Sequence, residues 1–483
     1  MKWSFDSIAE PNLPNPFQPG HLKIKWLNPQ WEDRFLKAIV KVNQLFQEYK
    51  IRKGDLVAVS GEQLPQIFAA LMMAWNTGAV PMLINPHWKS HHIADVLSRF
   101  NPKLFLHLNP FEENISFPHF QLTDENLAHL NGNQLPDFRP QINLSDPATI
   151  LFTSGSTGVP KAVVHQWSQH YFSAAGIVQH FNLTPEHAWM ASLPIFHTGG
   201  LAIFFRCAFF GMTMIVPESM EQWLSGTGPF EHTVYSFVPT QLWRLIQHPD
   251  YVEKLRRSKA ILLGGSHVPD SLLQECINLN LPVYTSYGST EMASTICCTA
   301  SSSVNDLQTA GKVLPYREIC TDDHGEILVR GKTLFVGYLE NEKVVPAVDE
   351  NGWFHTGDSG EQDEKGRWII SGRIDNMFIS GGENIQPEII EKVLMRLPEI
   401  SEAIVVPVED TEYGHRPVAF ISTTAEWNQD LIDKLKSHAK KFLPGLFRPV
   451  AYFPFPRNIK NHLKWSRKEL AEYAGRLYQE NIK

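Results

Sequence analysis

Short apolar runs alternate with longer segments of helical periodicity through most of the chain. The runs at 56–60, 80–84 and 103–108 predict buried strands, because each is mostly apolar and too short for a typical helix. Apolar residues three and four positions apart predict helices at 31–50, 63–76 and 87–100. Strands that alternate with helices form βαβ units, so a mostly parallel sheet is expected.

The alternation resumes after a polar connection at residues 109–145. It predicts helices at 166–182 and 200–210 and strands at 148–152, 188–193, 212–216, 232–238 and 259–263. The end of the chain contains shorter strands and amphipathic helices, which indicate a compact domain of its own. The whole pattern predicts an α/β fold, in which a large multi-layered N-terminal α/β domain precedes a small C-terminal α+β domain.

Composition and charge exclude several classes of function. The 483 residues carry a formal net charge of −8, which gives no reason to expect nucleic-acid binding. No apolar run reaches 18 residues, so no membrane span is expected; the nearest one, 199–211, is interrupted by Arg206. The five cysteines include no Cys-x-x-Cys pair and are odd in number, which favours free thiols in the cytoplasm. The sequence leaves homo-oligomerisation open.

The strand predicted at 148–152 runs into the loop Thr153-Ser-Gly-Ser-Thr-Gly-Val-Pro-Lys161. Its hydroxyl groups, its flexible glycines and its lysine are typical of a loop that binds phosphate through backbone N–H groups. The spacing differs from that of a P-loop, because Lys161 follows Val159-Pro160 and precedes Ala162. We therefore expect a phosphate loop of another class.

Three further motifs reveal a resemblance: Leu193-Pro-Ile-Phe-His197, Tyr287-Gly-Ser-Thr-Glu291 and Thr356-Gly-Asp358. With the loop at 153–161, they resemble the adenylate-forming superfamily of acyl- and aryl-CoA ligases, luciferases and adenylation domains. The resemblance implies that Tyr287 stacks on adenine, Thr290 contacts the α-phosphate and Glu291 holds Mg²⁺. It implies catalytic roles for Lys464, Glu291, Thr290 and His197, and an ATP or AMP site at Thr153, Ser154, Gly155, Ser156, Thr157, Gly158, Lys161, Gly264, Gly265, Tyr287, Asp358 and Arg373.

The resemblance also divides the chain at a hinge, Asp375. It implies a large domain at 1–374 that binds ATP and a carboxylic acid substrate, and a mobile small domain at 375–483. The loop Ser380-Gly381-Gly382 would line the path of CoA. Lys464 lies at the position of the family's adenylation lysine, although the usual Gly-Lys is absent and Lys460 and Lys468 are neighbouring candidates.

Arg206 bears on the choice of acid. An arginine inside an apolar helix either reaches the surface, pairs with a structural carboxylate, or binds an anionic ligand. The predicted helix begins shortly after His197, on the wall of the expected acyl pocket. Arg206, Ala293-Ser294-Thr295 and residues 382–388 resemble those of o-succinylbenzoate–CoA ligases of menaquinone biosynthesis, which implies an acid site at Arg206, His197, Ser294 and Thr295.

The resemblance implies an enzyme that forms an acyl-adenylate from a carboxylic acid and ATP and then transfers the acyl group to CoA, with Mg²⁺ as cofactor. Two alternatives remain open from the residues: another aryl- or acyl-CoA ligase, and a stand-alone adenylation protein that loads a carrier thiol. A catalytically dead regulatory homologue is disfavoured, because the ATP motifs keep their functional residue types.

Overall fold

The computed structural model describes residues 22–62, 64–112, 115–130, 132, 135–138, 140, 142–153, 160–226, 228–266, 268–456 and 467–482. The part up to residue 153 contains β1 (Lys23–Trp26), α1 (Trp31–Glu48), β2 (Leu56–Ser60), α2 (Pro65–Thr77), β3 (Val80–Ile84), α3 (Ser90–Phe100), β4 (Leu104–His107), β5 (His119–Gln121), α4 (Asp124–Leu127) and β6 (Pro147–Thr153).

The middle of the chain, from residue 160 to residue 313, supplies most of the second large sheet. Its elements are β7 (Lys161–Gln166), α5 (Trp167–Phe181), β8 (Ala188–Met190), α6 (Thr198–Phe210), β9 (Thr213–Val216), α7 (Met220–Ser225), β10 (Thr233–Phe237), α8 (Pro239–Ile246), α9 (Pro249–Arg256), β11 (Ala260–Leu263), α10 (Asp270–Asn278), β12 (Val283–Ser289), β13 (Ser294–Cys298), α11 (Val304–Leu307) and β14 (Lys312–Val313).

The last part of the chain is richer in antiparallel strands. Its elements are β15 (Arg317–Thr321), β16 (Glu326–Gly331), β17 (Gly337–Glu340), β18 (Lys343–Val345), β19 (Phe354–Gln362), β20 (Trp368–Arg373), β21 (Phe378–Ser380), β22 (Glu383–Ile385), α12 (Pro387–Leu394), β23 (Ile400–Asp410), β24 (Gly414–Thr423), α13 (Gln429–Phe442), β25 (Ala451–Pro454) and α14 (Arg467–Ile482).

In the described residues, two eight-stranded sheets dominate the large N-terminal domain. One has the order β1-β9-β8-β10-β11-β12-β13-β14 and the other β18-β17-β7-β6-β3-β2-β4-β5. The strands from β1 to β12 in the first sheet and from β6 to β5 in the second pair in parallel. The predicted mostly parallel arrangement is therefore confirmed, with antiparallel strands added at one edge of each sheet.

The main hydrophobic core lies between these two sheets. Residues of α1, α2, α5 and α6 pack there together with strand residues of both sheets, for example Trp75, Phe205 and Trp189. Helix α6 is buried at nearly every position because it lies inside this layer. Its single basic residue is thereby placed in the protein interior.

A four-stranded antiparallel sheet, β15-β16-β19-β20, connects the large domain to the small one. The small C-terminal domain packs α12 and α13 against the sheet β23-β24-β25, around a core of its own. Gln386 Nε2 donates to the Arg373 carbonyl at 2.8 Å, and Asn376 Nδ2 donates to Glu388 Oε1 at 2.6 Å, across the junction. None of the helices in the described ranges combines the length and apolar character that crossing a membrane requires.

Candidate active site

Glu291 and Lys161 both contact one tyrosine, Tyr338. The Tyr338 hydroxyl, on β17, donates to Glu291 Oε1 at 3.0 Å, and Lys161 Nζ lies 5.0 Å from the centroid of the Tyr338 ring. Lys161 begins β7 and is paired in register with Thr153 at the end of β6. The predicted phosphate-loop residues Ser154, Gly155, Ser156, Thr157 and Gly158 lie outside the described residues. Lys161, at the end of that loop, therefore contacts the same tyrosine as the carboxylate that was expected to hold Mg²⁺.

A buried histidine is hydrogen-bonded to the backbone of Thr290. His165 Nε2 lies 2.8 Å from the Thr290 carbonyl, which can only accept, so Nε2 carries the proton. Burial lowers the pKa of His165 to about 4, so the ring is neutral at physiological pH. Neither His165 nor Tyr338 was identified from the sequence, because no motif connects them with the residues they contact.

The residues expected to bind adenosine form one hydrogen-bonded group. The Tyr287 hydroxyl donates to Asp358 Oδ2 at 2.6 Å, and Arg373 Nη1 donates to Asp358 Oδ1 at 3.2 Å. Arg373 Nε donates to Asp375 Oδ1 at 2.9 Å. Burial raises the pKa of Asp358, while its bonds from Tyr287 and Arg373 act in the opposite direction. The residue predicted to stack on adenine, two others predicted for the ATP or AMP site and the predicted hinge residue are thus in direct contact.

Gly264 and Gly265 follow the carboxyl end of β11, where a parallel sheet commonly binds ligands. A Cβ at Gly264 would lie 2.6 Å from Ser286 Oγ on the neighbouring β12, and Gly265 has a φ of +80°. A side chain at either position would therefore crowd or strain this edge. The absence of side chains there is compatible with the expected role of Gly264 and Gly265 in the ATP or AMP site.

Arg206 does not reach the surface. It lies on α6 with 1% of its surface exposed, and its guanidinium stands 4.5 Å from the Trp189 ring centroid. Its Nη2 donates to Ser294 Oγ at 3.4 Å and to Thr295 Oγ1 at 3.3 Å. In the described part of the chain it forms no ion pair with a carboxylate, and burial lowers its pKa to about 10, so it remains charged. The reading of Arg206 as a surface arginine is excluded.

One hairpin joins the two ends of the site. Thr290 and Glu291 occupy the turn between β12 and β13, and Ser294 and Thr295 begin β13. Residues predicted for the phosphates therefore stand a few positions from those predicted for the acid. His197 stands at the N-cap position of α6, the helix that carries Arg206, and is exposed, with its ring centroid 4.6 Å from that of Phe196.

The residues predicted to act with CoA belong to the small domain. Ser380, Gly381 and Gly382 form the turn of the β21–β22 hairpin, and Gly381 N donates to the Tyr413 carbonyl at 2.8 Å. The contacts that fix this turn are therefore within the small domain. Lys464 and Lys460 lie outside the described residues.

Comparisons with known proteins identify the family of this chain. Residues 34–339 match the family described as AMP-binding enzyme, and residues 389–462 match the AMP-binding enzyme C-terminal domain. The 2-succinylbenzoate–CoA ligase of Haemophilus influenzae is 32% identical, over 92% of this chain and 93% of that protein.

Solved structures of Bacillus subtilis o-succinylbenzoate CoA synthetase are also similar. Its complex with the acyl-adenylate intermediate OSB-AMP has a TM-score of 0.80 at 28% identity, covering 94% of this chain and 96% of that one. Its complex with ATP and magnesium ion has a TM-score of 0.80 at 27% identity, covering 94% and 97%. Sequence and structure together show that the chain belongs to the AMP-binding enzyme family.

Proposed function

We propose that this protein is an o-succinylbenzoate–CoA ligase, which acts in menaquinone biosynthesis. It activates the succinyl carboxylate of o-succinylbenzoate with ATP and transfers the acyl group to CoA, releasing pyrophosphate and AMP. The similarity to 2-succinylbenzoate–CoA ligases over most of the chain supports the reaction. The observation that carries the choice of acid is Arg206, a buried cation without a carboxylate partner in the described part of the chain.

The substrate has two carboxylates, and only one is consumed. The benzoate carboxylate stays ionised while the succinyl carboxylate reacts, so it needs a counter-charge in an apolar pocket. A guanidinium is suited to a planar carboxylate because it donates two parallel hydrogen bonds. Arg206 would provide this charge, while Ser294 and Thr295 would donate further hydrogen bonds from the same side and His197 would stand at the entrance.

The first half-reaction joins the succinyl carboxylate to the α-phosphorus of ATP and expels pyrophosphate. Its barrier comes largely from the crowding of negative charges, so positioning and electrostatics carry the catalysis. Thr290 would donate to the α-phosphate, and the loop from Thr153 to Lys161 would hold the other phosphates. Tyr287, Gly264, Gly265, Asp358 and Arg373 would bind the adenosine.

Glu291 fits a Mg²⁺ ligand. It is half-buried and its Oε1 accepts from Tyr338, which leaves Oε2 for a cation within the described surroundings. A carboxylate oxygen is the type of ligand that Mg²⁺ prefers. The bound ion would supply counter-charge for the phosphates. Tyr338 keeps the carboxylate oriented towards them, and His165 fixes the neighbouring backbone.

The second half-reaction requires a different arrangement of the small domain. We propose domains at 1–374 and 375–483 that rotate about Asp375, with Lys464 acting in adenylation and the Ser380–Gly382 turn lining the path of CoA. The CoA sulfur attacks the acyl-adenylate carbonyl, the C–O bond to AMP breaks, and the thiol proton leaves with solvent. All five cysteines are free thiols, which supports a cytoplasmic location.

The decisive experiment measures pyrophosphate release across a panel of acids, with and without CoA. We expect o-succinylbenzoate to be preferred over 4-oxo-4-phenylbutanoate, which lacks the ring carboxylate, and a thioester to form only with CoA. Equal rates for the two acids would favour another acid–CoA ligase. ATP–pyrophosphate exchange without a CoA product would favour an adenylation protein that loads a carrier.

A further inference from the structure

A second arginine is buried beside the acid pocket. Arg317, at the start of β15, is 5% exposed and forms no ion pair with a carboxylate among the described residues. Burial, followed by the positive charge of Arg206, lowers the pKa of Arg317 to about 9, so it is charged at neutral pH. A buried cation that is held only by neutral groups is unfavourable for folding. Its contacts therefore call for a functional explanation.

The Arg317 guanidinium binds backbone and hydroxyl oxygens. Nη1 donates to the Pro315 carbonyl at 2.6 Å, and Nη2 lies 3.1 Å from the Ser173 carbonyl and 3.3 Å from Ser173 Oγ. Ser173, on α5, is 2% exposed, and its hydroxyl donates to the Ala293 carbonyl at 2.6 Å. Arg317 thus fixes the serine, and the serine fixes the residue just before Ser294.

The backbone held by Ser173 is strained. Ala293 has a φ of +51° and Ser294 a φ of +110°, values that residues with a side chain rarely adopt. This conformation begins β13 with the hydroxyls of Ser294 and Thr295 beside Arg206. Two consecutive strained residues persist only when their surroundings hold them. The bond from Ser173 is one such restraint.

Helix α5 has a gap that accommodates the guanidinium. Gly176 lies three residues after Ser173, on the same face of the helix. A Cβ at Gly176 would lie 2.3 Å from Arg317 Nη1 and 3.1 Å from the Pro315 carbonyl oxygen. Any larger residue would therefore displace Arg317. Gly176 makes room for Arg317, Arg317 contacts Ser173, and Ser173 is hydrogen-bonded to the strained turn.

We infer that Ser173 and Arg317 are positioning residues for acid specificity. They hold Ala293 and Ser294 in the strained conformation that directs the hydroxyls of Ser294 and Thr295 towards Arg206 and the ring carboxylate. Neither residue needs to touch the substrate. The inference rests on the proposed function, since it explains how the acid end of that site keeps its shape.

The test compares Ser173→Ala with the wild-type enzyme in ATP–pyrophosphate exchange, using o-succinylbenzoate and 4-oxo-4-phenylbutanoate. We expect the KM for o-succinylbenzoate to rise about tenfold, the effect of one lost buried hydrogen bond, while the KM for ATP stays unchanged. The preference for the dicarboxylate should fall by the same factor. Arg317→Lys and Gly176→Ala should change the kinetics in the same direction.

Ser258→Ala is the matched control. Ser258 is also a buried serine, and its hydroxyl donates to the Leu255 carbonyl at 2.6 Å, far from α5 in the sequence. Its loss should leave the preference unchanged. The double variant Ser173→Ala/Ala293→Gly adds a readout that a general packing defect would not give. Because glycine adopts positive φ without strain, it should restore part of the lost preference.

The outcomes separate the inference from the function on which it rests. A wild-type enzyme without preference for the dicarboxylate would overturn both. A wild-type preference that Ser173→Ala retains would overturn only the inference. If Ser173→Ala fails to fold, Arg317→Lys decides, together with the thermal shift that o-succinylbenzoate induces in each folded variant. A normal shift in Arg317→Lys would likewise overturn the positioning role.

Discussion

Replacing Arg206 by methionine should stabilise the acid-free protein while it weakens binding of the acid. Burial of a charge costs several kcal/mol after relaxation. The contact with Trp189 at 4.5 Å returns about 2 kcal/mol, and two long hydrogen bonds to Ser294 and Thr295 return about 1 kcal/mol or less each. The balance leaves roughly 1–2 kcal/mol against the arginine, which an apolar side chain of similar length avoids.

The cost in binding should be larger than this gain. Removing one partner of a buried charge pair costs about 3–5 kcal/mol, which corresponds to an increase of at least ~10²-fold in the KM for o-succinylbenzoate. The KM for ATP should hardly change, because the contacts of Arg206 lie on β8 and β13 rather than among the residues proposed to bind adenosine.

Unfolding in urea, with and without o-succinylbenzoate, measures both effects. At 100 times its dissociation constant the acid should stabilise the wild-type protein by about 2.7 kcal/mol, and the same concentration should leave Arg206→Met almost unshifted. Arg244→Met, at an exposed position of α8, is the control and should change neither quantity. A lower free energy of unfolding for acid-free Arg206→Met would show that the arginine is structural. An unchanged KM would refute its role in recognition.

Three further changes test the ATP end of the site. Glu291→Gln should slow pyrophosphate exchange by about two orders of magnitude, the size of a lost transition-state contact; wild-type exchange would refute its role. Tyr338→Phe should raise the Mg²⁺ concentration needed for half-maximal exchange several-fold, with activity restored at high Mg²⁺; an unchanged titration would leave the tyrosine without this function. Lys464→Ala should abolish adenylate formation yet spare thioester formation from a supplied acyl-adenylate, whereas that pattern in Lys460→Ala would transfer the role to Lys460.

The central strands were predictable because burial along their whole length goes with a continuous run of mostly apolar residues. Strands β2 and β3 are buried at every position, and their bounds agree with the apolar runs at 56–60 and 80–84. Strand β7 was missed because its first residue, Lys161, was assigned to the loop and its last, Gln166, to the next helix, while residues 162–165 were assigned to no element. Strand β19 was missed because its sequence, Phe-His-Thr-Gly-Asp-Ser-Gly-Glu-Gln, is polar and its partners come from distant segments.

The residues of the candidate site likewise differ in how far the sequence alone reveals them. The motif around Tyr287 is a run of consecutive residues, so its resemblance to the adenylate-forming superfamily could be recognised from the sequence alone. The residues that support it come from far along the chain: His165 and Thr290 are 125 positions apart, and Tyr338 and Glu291 are 47 apart. Nothing in the sequence near His165 or near Tyr338 indicates these contacts. Only the approach of one large sheet, which carries β7 and β17, to the β12–β13 turn of the other brings them together.

Arg206 shows where the hydrophobic pattern of the sequence no longer predicts the role of a residue. The sequence allowed three interpretations of an arginine inside an apolar helix, and the choice among them depended on the residues that surround it. The structure places it between Trp189 and β13, beyond the reach of solvent. Its environment within the described residues consists of an aromatic ring and two hydroxyls rather than a carboxylate. That environment could not be inferred from the helix alone, because it is supplied by two other strands.

Several unfavourable features of the large domain lie together at the proposed acid end of the site. Two buried arginines and the consecutive positive-φ residues Ala293 and Ser294 are found there, whereas the arginine of the proposed adenosine group, Arg373, contacts both Asp358 and Asp375. A bound dicarboxylate would neutralise part of that positive charge and accept the hydrogen bonds that the strained turn directs towards it. The acid should therefore stabilise this region more than its contact area alone would suggest, and the protein would be least stable when its acid pocket is empty.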